Sequence, residues 1–190
     1  MRRRRVGAAA AAAVLAGLLA GCAPFEGGPL VGGRGGQYQG PPMICALELE
    51  PGATVYFGSM LANEGDDAIA VTEVRGSGTN VASIDAGIDL EGVALDQAVG
   101  SMRWPADDAW EHTEDVLDRL VAPADAVIEP GTTAQVIFSI VPVDPEQPAT
   151  VEDLEVLYDN GIISQVERDT YGYQLMPGDS CETDDDEGLS

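Results

Sequence analysis

Thr132-Thr133-Ala134-Gln135-Val136-Ile137-Phe138-Ser139-Ile140-Val141 decides the fold class of this chain. Side chains alternate across an extended backbone, so Ala134, Val136, Phe138 and Ile140 share one face, as a half-buried β-strand requires. The run opens after Glu129-Pro130-Gly131, where proline and glycine supply a turn. Downstream, Val151 to Tyr158 places Leu154, Val156 and Tyr158 in phase, and Asp159-Asn160-Gly161 predicts a type I′ hairpin whose partner begins at Ile162. Tyr171 to Met176 reads as the last strand.

Upstream, Met43 to Leu49 is short and apolar and is closed by Glu50-Pro51-Gly52. Thr54 to Ala62 sets Val55, Phe57 and Leu61 against Tyr56 and Met60, which predicts one face in the core and the other partly covered. Asn63-Glu64-Gly65-Asp66-Asp67 is turn material, and Ala68 to Arg75 is expected to return as the second arm of a hairpin. Val81 to Leu90 is less regular, with room for one or two short strands. Pro105 to Leu120 breaks the pattern: Trp110, Glu114, Leu117 and Val121 recur at helical spacing, which predicts a short helical insertion.

Seven or eight short strands with turn signals between them predict a mainly β chain, an antiparallel immunoglobulin-like β-sandwich with one short helix. The stretch from Thr54 through Arg75, with Asn63-x-Gly65 between two apolar runs, resembles the N-x-G hairpin of bacterial immunoglobulin-like modules. The Cys/Trp/Cys spacing of antibody domains is absent.

The N-terminus carries an address. Arg2 to Arg5 precede an apolar run from Val6 to Ala20, which ends in Leu19-Ala20-Gly21-Cys22. This resembles a bacterial lipoprotein signal peptide, residues 1–21. The resemblance implies cleavage before Cys22, acylation of that cysteine, and lipid anchoring on the outer face of the cell membrane. An apolar run of this length is too short to cross a hydrocarbon core, which takes roughly 20 residues. Residues 22–42 are rich in glycine and proline and are expected to form a flexible tether reaching roughly 25 Å, by square-root scaling. With Cys22 lipidated, Cys45 and Cys181 form the remaining pair, in a compartment that permits disulfides. They bracket the β-domain, residues 43–181. Asp184, Asp185, Asp186 and Glu187 then mark residues 182–190 as an acidic disordered tail.

Charge excludes one class of partner. The chain has 33 acidic and 9 basic residues and a net charge of −24. All nine cations are arginine, and four of them leave with the signal. Such an excess repels phosphate backbones, so nucleic acid is not an expected partner.

No motif of established chemistry stands out. There is no G-x-S-x-G elbow, no H-E-x-x-H and no lysine, and the single histidine, His112, sits among Glu111, Glu114 and Asp115, which cannot all converge from one helix face. No metal, cofactor or enzymatic activity is therefore expected. Trp104 and Trp110 are the one ligand-like feature, a candidate aromatic platform for carbohydrate. The resulting expectation is a lipid-anchored, non-enzymatic binding or accessory module of the cell envelope, working with another envelope protein; the alternative is a lipoprotein that binds a small ligand, either carbohydrate or metal.

Overall fold

The computed structural model describes residues 24–33, 43–47, 53–91, 100–105, 113–161, 163–178 and 180–181. Among the described residues the chain is mainly β, with two curled sheets on one core and one short α-helix. In the first sheet β4 (Thr54–Asn63) and β9 (Thr133–Pro142) pair antiparallel, and β6 (Val81–Asp89) joins the far edge of β9. The outer edge of β4 is shared by β2 (Leu30–Gly32) and β7 (Ser101–Trp104).

The second sheet is built on β10 (Ala149–Asp159). One edge of it carries β5 (Ile69–Thr79), which in turn pairs with β8 (Val127–Ile128). The other edge is taken by two strands in line, β11 (Ser164–Arg168) and β12 (Gly172–Met176). Outside them, β1 (Phe25–Glu26) adds in parallel to β11, and β3 (Met43–Leu47) adds in parallel to β12.

The decisive strand behaves as its pattern dictates. Ala134, Val136 and Phe138 are fully buried and meet Phe57, Leu154 and Tyr173 between the sheets. Phe138 and Tyr173 pack edge to face with ring centroids 4.9 Å apart, and Phe57 completes the trio. Burying one such side chain contributes about 1.5–3 kcal/mol. The opposite face of β9 is covered too: Ile137 packs with Met102 of β7 and with Val116 of the helix α1 (Thr113–Asp118). The predicted insertion is thus a lid on the outside of the first sheet, and its described helix is only six residues long.

Three expectations are corrected. β4 and β5 are not a hairpin, since β4 pairs with β9 and β5 pairs with β10 in the other sheet. Asn63-x-Gly65 instead turns the chain from one sheet to the other: Asn63 Oδ1 accepts from Gly65 N at 3.0 Å, and its Nδ2 donates to the carbonyls of Asp67 and Ile128, both at 2.9 Å. The Asp159-Asn160-Gly161 hairpin does form, but with four residues (160–163) between the paired Asp159 and Ser164 rather than two.

The third correction concerns the tether. Residues 24–33 are part of the body: β1 joins one sheet and β2 the other, and Leu30 at the start of β2 is completely buried. Gly28 is what allows so close an approach, because a Cβ there would overlap the Tyr158 hydroxyl and the Gln165 amide. Composition alone suggested a linker because glycine and proline hide a single decisive leucine.

Candidate functional site

A cleft of about 530 Å³ opens where β11 hands over to β12. Asp169, Thr170 and Tyr171 interrupt the edge of β10 there, and Gly33 and Ile44 face them from the ends of β2 and β3. Ser59 and Leu61 of β4 and the ring of Tyr173 form the floor. The walls are largely apolar, and the half-buried Tyr171 ring stands at the rim.

Asp169 organises this break. Its backbone N–H still donates to Leu154 at 2.9 Å, so it keeps its place beside β10. Its carboxylate then turns inward. Oδ1 accepts from the Tyr171 N–H at 2.9 Å, the local turn that Asx side chains favour. Oδ2 accepts from the Tyr173 hydroxyl at 2.5 Å and from Ser59 Oγ, which belongs to the opposite sheet. One carboxylate therefore ties both sheets together under the cleft. Burial, with the Asp169 charge adding to it, pushes the Tyr173 hydroxyl well above the usual tyrosine range, so it stays a neutral donor.

The neighbouring strand end fits this break closely. Gly32 N donates to Glu167 Oε1 at 2.8 Å, and Thr170 Oγ1 donates to the Gly33 carbonyl. A Cβ on Gly33 would come within 2.9 Å of Asp169 Oδ1 and 3.0 Å of the Tyr171 ring. Because the hydroxyls of Ser59 and Tyr173 are both committed to Asp169, the cleft offers apolar surface and an aromatic rim more than free hydrogen-bonding groups.

The residues singled out in the sequence lie elsewhere. Cys45 and Cys181 form a disulfide, with Cα atoms 6.0 Å apart. Trp104 is half-buried on β7, opposite Thr54, and does not line the cleft. Cys22, Trp110, His112 and the acidic tail fall outside the described residues. Among the described residues no group of three or more His, Cys, Asp or Glu is placed to hold a metal, and no helix is long and apolar enough to cross a membrane. Ser59 and Asp169 were missed. The only sequence signal for them is an Asp-Thr pair between two apolar runs, which marks a turn but not the distant serine it reaches.

No protein-family model matches the chain, and no curated protein matches it in sequence. A solved structure that it resembles is that of Vibrio cholerae VesB protease, with a TM-score of 0.38 and 9% identity over 78% of this chain. The match covers 32% of that protein, so the chain spans about a third of its length. The expectation of a chain without enzymatic activity is corrected on this finding, since the matched protein is a protease. A likeness at this level passes neither proteolysis nor any catalytic residue to the present chain.

Proposed function

We propose that the chain is an extracytoplasmic lipoprotein, acylated on Cys22, whose β-domain is a binding module of the cell envelope with the Tyr171 cleft as its contact site. The cleft carries this reading. Its volume of about 530 Å³ lies within the roughly 300–1,000 Å³ typical of binding pockets, and apolar walls with a few fixed polar groups are the usual lining. Such a site takes apolar side chains presented by another envelope protein. A second reading, a small carbohydrate or amphiphile, is favoured by the Tyr171 ring at the rim, on which a flat apolar face can stack.

The framework is read as immunoglobulin-like. What supports this is strand order: β4, β9 and β6 stand as B, E and D do in such domains, and β5, β10 and β12 stand as C, F and G. The disulfide departs from that plan, since it staples β3 to the C-terminal segment instead of joining the two sheets in the middle.

The test replaces Tyr171 with p-benzoylphenylalanine in the full chain, in a bacterial host, followed by irradiation of intact cells. A discrete covalent adduct that is missing when the same group replaces Val143 is expected. Equal or no labelling at the two positions would overturn the cleft as the contact site. In the same host, Cys22→Ser should move the protein out of the membrane fraction, and retention there would overturn the lipid anchor.

A further inference from the structure

We infer that the domain does not hang from its lipid on a flexible leash but sits directly on the bilayer, with one defined end pressed against it. This rests on the acylation of Cys22 proposed above. Three peptide units separate Cys22 from Phe25, where β1 begins. At about 3.6 Å per residue the acylated cysteine lies no more than about 11 Å from the first strand of the fold. A twenty-residue tether would leave orientation free, whereas this connection fixes which end faces the lipid.

The sheet registers identify that end. β1 runs parallel to β11, with Phe25 opposite Gln165, so the chain enters the fold beside the start of β11 and the 160–163 turn. Asp159 pairs with Ser164 on one side and with Ala70 on the other, and Ala70 pairs with Val127. The ends of five strands therefore lie in one row. With strands about 4.8 Å apart, Phe25 and Val127 stand roughly 19 Å from each other along it.

This row carries exposed apolar side chains that the fold does not use. Phe25 is 62% exposed, Ile163 in the adjoining turn 47%, and Val127 46%. Nothing in the sheet covers them, and they surround the point where the lipidated segment enters. An aromatic ring and two branched aliphatic side chains at the base of an acyl anchor match the interfacial zone of a membrane, and a second hydrophobic signal is what stable anchoring by lipid ordinarily needs. Asp66 and Asp67 also stand exposed in the turn leading into β5, so the contact is apolar and gains nothing from anionic headgroups. The opposite end, where Thr79 pairs with Thr150, carries the exposed Val143 and lies on the order of 30 Å away along β10.

The experiment uses the full acylated chain in phosphatidylcholine vesicles, with p-benzoylphenylalanine in place of Ile163 or, separately, Val143. Mass spectrometry of the N-terminal peptide first reads the acyl group on Cys22. After irradiation, phospholipid adducts are expected at position 163 and not at position 143. Acylated, vesicle-bound protein that gives adducts at both positions or at neither overturns the orientation while leaving the lipoprotein reading intact. An unmodified Cys22 overturns both.

Discussion

Arg119 closes a bidentate pair on Asp89: its Nε donates to Oδ1 at 2.9 Å and one terminal nitrogen to Oδ2 at 2.6 Å. The Asp89 side chain is wholly buried, whereas that of Arg119 is 28% exposed. The pair fastens the turn after α1 to the end of β6, so the outer lid and the first sheet are joined through one charge. Arg119→Ala leaves a buried carboxylate whose one remaining partner among the described residues is the Glu91 N–H at 3.1 Å, and should cost about 3–4 kcal/mol, the lower part of the range for breaking buried pairs because water reaches the arginine side. Arg119→Lys should recover less than half of that loss, since an ammonium cannot donate in a fork. Urea midpoints at unchanged slope measure both.

Asn63 provides a second, independent test. It is 1% exposed and makes three side-chain hydrogen bonds at the sheet-to-sheet crossing. Asn63→Ala takes the amide donor from the Asp67 and Ile128 carbonyls and the acceptor from the Gly65 N–H, and should cost about 2–4 kcal/mol, at roughly 1 kcal/mol per bond. Asn63→Asp keeps the acceptor toward Gly65 but turns a carboxylate on two carbonyls, so it should be at least as damaging. An aspartate variant as stable as the parent would show that the two donor bonds contribute nothing.

Period-two patterning made the strands legible, and it did so best where one face is apolar, as at Ala134, Val136, Phe138 and Ile140. It could not assign partners. The apolar runs of β4 and β5 look like two arms of a hairpin, and only the pairing of β4 with β9 and of β5 with β10 distinguishes a hairpin from a crossing. Residues 24–33 were illegible for a different reason: a two-residue and a three-residue strand carry no periodicity, so Leu30 had no pattern to belong to. The cleft depends on Ser59 meeting Asp169 across 110 residues of sequence, a contact that no local signal encodes.

Alkaline pH should unfold the protein through its tyrosines. Burial raises the hydroxyls of Tyr56, Tyr158 and Tyr173, with Asp85 adding to the first and Asp169 to the last. In the unfolded chain tyrosine ionises near pH 10, so above that pH the unfolded state binds fewer protons than the native one and stability falls as pH rises. Below about pH 10 the contribution is fully present. Each tyrosine kept neutral adds about 1.4 kcal/mol of loss per pH unit. Tyr173→Phe should therefore flatten the decline between pH 10 and 11 by about one proton's worth, even though the variant starts from lower stability. An unchanged slope in that interval would exclude Tyr173 as a contributor.

The disulfide holds the two ends of the domain across a sequence separation of 136. In the loop-closure model a link of this length restricts the unfolded chain by an amount on the order of 4–5 kcal/mol, and measured gains are often smaller. The double substitution of Cys45 and Cys181 by serine should lower the unfolding free energy by about 2–5 kcal/mol. The native pairings of β3 with β12 should survive, because five residue pairs hold them independently of the sulfurs. Amide exchange in Ile44 to Leu47 separates the two effects: protection that vanishes while the rest of the domain stays folded would mean that the bond holds β3 in place and does not merely constrain the unfolded chain.

Two adjacent glycines allow the N-terminal segment to be tested from opposite directions. Gly27 has φ +85° and open space around its missing Cβ, so Gly27→Ala should cost only the left-handed backbone, about 1 kcal/mol. Gly28 has no positive φ, yet a Cβ there would collide with the Tyr158 hydroxyl and the Gln165 amide, both on buried residues of the second sheet. Gly28→Ala must therefore displace either those side chains or the segment itself. The segment is the softer choice, since β1 contributes two paired residues and β2 three. The expected result is faster amide exchange from Phe25 to Gly32, with β9 and β10 unchanged, and a larger loss of stability than in Gly27→Ala. Backbone propensity alone predicts the reverse order. If Gly28→Ala proves the milder of the two, residues 24–33 are not seated against Tyr158, and the short connection to Cys22 would no longer fix how the domain meets a membrane.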